Sequence, residues 1–151
     1  GYKAGVTSDA SDYKDHVMDH CRRAGRDERV RFAGARKDLP AIVKQSDVLF
    51  VTSAWEGFPN SVLEAMVLGV PVVSTDYSDI RHILPRAGQV IGDRAPGKIA
   101  AAIVEAYLDR DEIAAEQLRW VREHASIEKA AENLQRVYRH YVHHQPIAEA
   151  A

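Results

Sequence analysis

The sequence predicts an α/β fold: a Rossmann-like parallel sheet with helices on both faces and a purely helical carboxyl-terminal part. Three observations carry this. The apolar runs DVLFV (residues 47–51), VPVVST (70–75) and QVI (89–91) are short and rich in β-branched residues, as expected of strands in a sheet covered on both faces. Stretches with helical spacing of apolar residues lie between them, and strands alternating with helices imply parallel pairing through right-handed crossovers. After Pro96 only helical patterns follow.

Taken in order, Gly1-Tyr2-Lys3-Ala4-Gly5 and the polar stretch to Ser11 read as a loop leaving a strand, so elements upstream are expected to be missing. Tyr13, Val17 and Cys21 recur at helical spacing over residues 12–24, and Gly25 supplies the stop. RVRFAG (29–34) alternates charged and apolar side chains and predicts a strand. Leu39, Ile42 and Val43 mark a short amphipathic helix before DVLFV. A helix over 60–68 follows, then the strand VPVVST, a short helix over 79–84 and the strand QVI. Three helices close the chain, the last capped by Ser126. They are expected to cover a sheet face or a neighbouring domain, with Trp120, Tyr138 and Tyr141 in core or interdomain packing. Residues 1–142 are read as one domain and 143–151 as a frayed tail.

Composition narrows the function. The 151 residues are 46% hydrophobic and 28% charged with no apolar run of membrane-spanning length, the profile of a soluble globular domain. A net charge of −2 and scattered basic residues argue against a nucleic-acid partner. Cys21 is the only cysteine, which excludes an internal disulfide and fits a cytoplasmic location. His16, His20 and Cys21 share a helix face but lack further metal ligands, and His140, His143 and His144 sit at the frayed end, so no metal site is assigned. Neither a G-x-G-x-x-G nor a Walker A pattern is present.

The segment WEGFPNSVLEAM (55–66) leaves the end of the second predicted strand, where open parallel sheets collect ligands. Asn60 or Ser61 can cap the helix it begins, and free amides at such a start suit a phosphate. Glu64 has a purely structural reading as the third residue of a capping box with Ser61, and Glu56 one as a solvated loop charge. Spacing alone favours those readings.

Glu56 and Glu64 enclose seven residues, and the run from Arg29 to Asp76 resembles, in order and spacing, the carboxyl-terminal donor-binding domain of group 1 retaining glycosyltransferases of GT-B architecture. The resemblance extends more loosely through AGQVIGD (87–93) and the terminal helices. It implies a site for a UDP-, GDP- or ADP-sugar, without a cofactor or bound metal. Glu56 would be the catalytic residue, meeting hydroxyls of the donor sugar, helped by backbone amides of Gly57, Phe58 and Asn60. Glu64 would accept from the ribose hydroxyls, and the helix start with Ser61 would face the diphosphate. The loop from Gly34 to Asp38, with Arg36, corresponds to the base-contacting region; Lys37 reads equally well as solvated.

The resemblance further implies an unknown acceptor, an amino-terminal domain beyond this chain, and a basic pair upstream that stabilises the departing diphosphate. The isolated chain is therefore expected to be inactive. A peripheral position at the inner membrane face is expected of the full-length protein, and the exposed sheet edge invites pairing with a second copy. One departure stands out: where the family commonly carries adjacent glycines and a glutamate, this chain has Tyr77-Ser78-Asp79. A GT-B-like sugar-nucleotide epimerase and a non-catalytic α/β interaction domain remain as alternatives.

Overall fold

The computed structural model describes residues 10–57 and 59–143, which fall in two compact units divided between Lys37 and Asp38. In the first unit, helix α1 (Ala10–Arg23) ends where predicted. Gly25 turns left-handed at φ 62°, and the amides of Gly25 and Arg26 donate to the carbonyls of Arg22 and Cys21 at 2.9 and 2.8 Å, which satisfies the last turn. A 3-10 turn, Asp27–Arg29, follows.

The strand predicted over 29–34 does not form. Val30 is extended, at φ −115° and ψ 124°, yet it belongs to no ladder among the described residues. Alternation reports which faces a segment presents; it says nothing about whether a neighbour offers hydrogen bonds. Phe32 instead takes the Lys14 ammonium 5.8 Å from its ring centroid.

The second unit carries α2 (Leu39–Lys44), β1 (Leu49–Val51), α3 (Asn60–Val67), β2 (Val72–Thr75), α4 (Ile80–Ile83), β3 (Val90–Ile91), α5 (Pro96–Leu108), α6 (Arg110–His124) and α7 (Ile127–His143). The sheet is parallel in the order β1-β2-β3, with Leu49 opposite Val72 and Ser74 opposite Val90. Every residue of β2 is buried. Its alternate side chains feed two apolar layers. Val72 packs with Val62, Ala65 and Met66 of α3, against which Trp120 and Val121 of α6 also lie. Val73 packs with Ile91 and Ala106, joined by Ile99, Ala102 and Ile103 of α5 and by Ile113.

Helices therefore cover both faces, as the sequence predicts. Each fully buried valine, isoleucine or methionine among them contributes roughly 1.5–3 kcal/mol relative to exposure. The outer strand β1 is only half-buried, although Leu49 and Val51 still meet one layer and Val48 and Phe50 the other. Between α3 and β2 the chain turns at Gly69, whose φ of 76° strongly favours glycine. Val70 then donates to the Ala65 carbonyl at 2.9 Å.

A buried central strand must pair its backbone on both edges. On one edge β1 does this, Leu49 donating to the Pro71 carbonyl at 2.8 Å. On the other, β3 begins only opposite Ser74, and two buried glutamines extend the ladder backwards. Gln89 donates to the Val72 carbonyl at 2.7 Å. With the Gln117 amide turned so that its nitrogen faces the Val70 carbonyl (3.2 Å), its oxygen accepts from the Val72 amide at 3.1 Å and from Gln89 at 2.6 Å. One residue of α6 thus behaves as a missing strand.

The start of α6 is also clasped from the loop after α4. Arg86 reaches Glu116 through two nitrogens, at 2.7 and 2.9 Å, and Glu112 at 3.1 Å. The hydrogen bonds of Arg86, with its charge adding, hold the Glu116 carboxyl below the usual range against partial desolvation. At α7, Ser126 Oγ accepts from the Lys129 amide at 3.2 Å, the cap the sequence predicts. Trp120 stacks on His124 with centroids 4.8 Å apart, but Tyr138 and Tyr141 are 61% and 72% exposed and pack in no core of the described residues. No described helix is long and apolar enough to cross a membrane. Most of the predicted tail, residues 144–151, lies outside the described residues.

Two outcomes follow for stability. Gln117→Leu strands buried groups of Val70 and Val72 and should cost roughly 2–4 kcal/mol in urea unfolding; a loss below ~0.5 kcal/mol would contradict the ladder role. Glu116→Gln should be less stable than the parent at neutral pH. Because the folded carboxyl is held below the ordinary carboxylate range, its contribution is present above that range and is lost as pH falls through the folded value. The two unfolding midpoints should converge in acid.

Candidate functional site

Three loops leave the carboxyl edge of the sheet: 52–59 after β1, 76–79 after β2 and 92–95 after β3. Ser53 joins them. Its carbonyl accepts from Oγ1 of Thr75, the last residue of β2, at 2.7 Å, and from Nη2 of Arg94 at 3.4 Å. Its own hydroxyl donates to Oε1 of the half-buried Glu56 at 2.6 Å, a charge-assisted bond.

Gly57 stands in the open, where an added Cβ would meet nothing within 4 Å. Phe58 lies outside the described residues. Pro59 takes the helix boundary at φ −83° and ψ 76°, with no side-chain cap. Asn60 and Ser61 are thus the first and second residues of α3, and neither caps it. The expected capping box fails for the same reason: its third helical position is Val62, and Glu64 falls at the fifth. Proline needs no partner for an amide it lacks, and its fixed φ suits a helix entry, which moves the frame past both polar candidates.

This removes the structural role weighed for Glu64. Its side chain is exposed on α3 along the stripe that also holds Asn60 and Ser61, opposite the buried Val62, Ala65 and Met66. As the first two helical residues, Asn60 and Ser61 have amides without an intrahelical partner. Carboxylates, two free amides and an open glycine therefore cluster around one helix start.

Beneath it, Tyr77 is 4% exposed and its hydroxyl has no hydrogen-bond partner among the described residues. Burial pushes its pKa up, the Glu56 charge adds to the rise, and the Ser74 hydroxyl opposes it. The Ser74 hydroxyl donates its proton to the Thr75 carbonyl at 2.8 Å. Ser78 adopts φ 43°, a left-handed conformation that glycine takes more readily. Asp76 is held by Arg81 through Nε at 3.0 Å and Nη2 at 2.7 Å. Gly34, at φ 65°, and Arg36 belong to the first unit, whereas the run from Glu56 to Glu64 belongs to the second. The apolar depression along α5 is lined by Ala100, Ala101, Val104 and Leu108 with Glu105 and Asp109, the last of which is ion-paired with Arg86 at 3.3 Å.

The family profile described as glycosyl transferases group 1 matches residues 5–109, well over half of the chain. The chain belongs to that family. It is similar to the lipopolysaccharide core biosynthesis mannosyltransferase LpsB of Rhizobium meliloti (strain 1021), 29% identical over 80 residues, which are 53% of this chain and 23% of that protein. An O-antigen chain mannosyltransferase B of Escherichia coli is 30% identical over 89 residues, 58% of this chain and 23% of its own length. A UDP-Gal:alpha-D-GlcNAc-diphosphoundecaprenol alpha-1,3-galactosyltransferase of Escherichia coli is 44% identical over 51 residues, 34% of this chain and 13% of its own. The matched stretches thus span less than a quarter of each of these relatives. No solved structure matches.

Within this group 1 domain, the geometry adds residues that pattern reading passed over. Ser53, Thr75 and Arg94 tie the edge together. Trp55 stands 78% exposed beside Glu56. Ser53 had a signal, since a serine three residues before a glutamate can reach its carboxylate; Arg94, remote in sequence, had none.

Proposed function

We propose that this chain is the donor-binding, carboxyl-terminal half of a retaining glycosyltransferase that takes a hexose from a UDP-, GDP- or ADP-sugar without a bound metal. The observation that carries the reading is the pair Glu56 and Glu64 flanking the start of α3 at the carboxyl edge, in a group 1 family member, with no capping role left for Glu64. Its similarity to two mannosyltransferases and a galactosyltransferase supports a hexosyl donor.

In this reading the Glu64 carboxylate accepts from the vicinal ribose hydroxyls, one oxygen to each, a geometry that rejects ligands lacking them. The Gly57 amide helps Glu56 with the sugar hydroxyls, and the start of α3, with its free amides and positive end, receives the diphosphate. Glu56 accepts from the sugar hydroxyls and orients the anomeric carbon toward an acceptor carried by an amino-terminal domain. In this reading the acceptor site and the stabilisation of the leaving diphosphate come from elsewhere in the enzyme, and the chain alone is expected to turn nothing over.

Calorimetry with UDP, GDP and ADP tests the assignment. One of the three should bind the chain, and Glu64→Gln should weaken it about ten- to a hundredfold, the loss of charge-assisted hydrogen bonds, with unfolding unchanged within ~0.5 kcal/mol. Equal affinity in variant and parent would return Glu64 to the solvent. Rapid sugar transfer by the chain alone would refute the half-enzyme reading.

A further inference from the structure

We infer that Ser53 is a positioning residue for Glu56, holding the carboxylate that reads the donor sugar in a rotation referenced to the sheet. The inference rests on the donor-binding reading and sharpens it. A glutamate in a loop samples many rotamers, and a carboxylate that must meet particular sugar hydroxyls gains from being fixed beforehand. Here one oxygen, Oε1, is engaged at 2.6 Å by the Ser53 hydroxyl. The other oxygen is left as the acceptor for a ligand.

What distinguishes this from an ordinary loop contact is the anchoring of Ser53 itself. Its carbonyl is held by Thr75 Oγ1 at 2.7 Å, and Thr75 is buried and paired with Ile91 in the β2–β3 ladder. Arg94 adds a second donor to the same carbonyl from the loop after β3, a loop whose own turn is tied by Asp93 accepting from the Ala95 amide at 3.0 Å. The chain of contacts runs from the fully buried strand β2, through one backbone carbonyl and one hydroxyl, to the carboxylate. Because the hydroxyl and the carbonyl are separate groups, the link to Glu56 can be cut while the link to the sheet stays.

The experiment compares, by calorimetry, UDP, GDP and ADP with UDP-glucose, GDP-mannose and ADP-glucose on the parent, Ser53→Ala and Ser53→Thr, with thermal midpoints to confirm folding. The readout is the affinity of the sugar conjugate divided by that of the matching bare nucleotide. Ser53→Ala should lower this ratio about tenfold, the worth of about one hydrogen bond, while affinity for the bare nucleotide changes less than twofold; Ser53→Thr, which keeps the hydroxyl, should restore most of the ratio. An unchanged ratio in Ser53→Ala, or an equal loss for bare nucleotide and conjugate, would overturn the positioning role while leaving the donor site standing. Failure of all three nucleotides to bind the parent would instead overturn the donor reading, and this inference with it.

Discussion

The burial of β2 on both faces and along both edges is the constraint from which the rest of the second unit follows. Four successive residues with no access to water leave no backbone group that solvent can satisfy. The strand order, the sharp return at Gly69 and the inward glutamines of α6 and the turn before β3 all answer that demand. Gln117 explains why a helix of modest apolar content docks firmly: it brings a hydrogen-bonding edge as well as aliphatic surface. Such an amide is well suited to the task because its NH2 donors and its twice-accepting carbonyl oxygen lie in the spacing of a peptide group.

The same strand sets the site. Where β2 emerges at the carboxyl edge, its last side chain captures the Ser53 carbonyl, and Ser53 in turn captures Glu56. Core packing and site geometry are thus joined through a few short contacts. The electrostatic division of labour in the proposed donor site is also plain. Carboxylates are poor neighbours for a diphosphate, so they are suited to neutral hydroxyls, while the amides and positive end of α3 suit the phosphates.

How far the sequence could be read depended on how local each cause is. VPVVST announced β2 because complete burial leaves a continuous apolar run, and Gly25 announced the end of α1 because its left-handed turn favours that residue. RVRFAG failed because alternation cannot reveal a missing partner. The helix was placed where it forms, but its cap was misjudged because Pro59, with no amide to satisfy, displaced Asn60 and Ser61 from the cap they commonly occupy. Gln117 was illegible in DEIAAEQLRWVREHA, where a glutamine among charges looks solvated; only the short β3, distant in sequence, gives it a purpose. Glu56 and Glu64 were visible as a spacing, but the capping reading of Glu64 was set aside only when the helix frame was known, and Glu56 departs from a solvated loop charge through its half-burial and its bond from Ser53.

The central claim, that the carboxyl edge around α3 receives a nucleoside diphosphate, is tested most directly by following backbone amide resonances of the chain while UDP, GDP or ADP is added. The account predicts that one nucleotide produces saturable shifts concentrated at Gly57, Asn60, Ser61 and Glu64 and in the loops after β2 and β3, with α5 and α7 unmoved. Saturable shifts confined to α5 or α7, or no shift with any of the three at millimolar concentration, would contradict it.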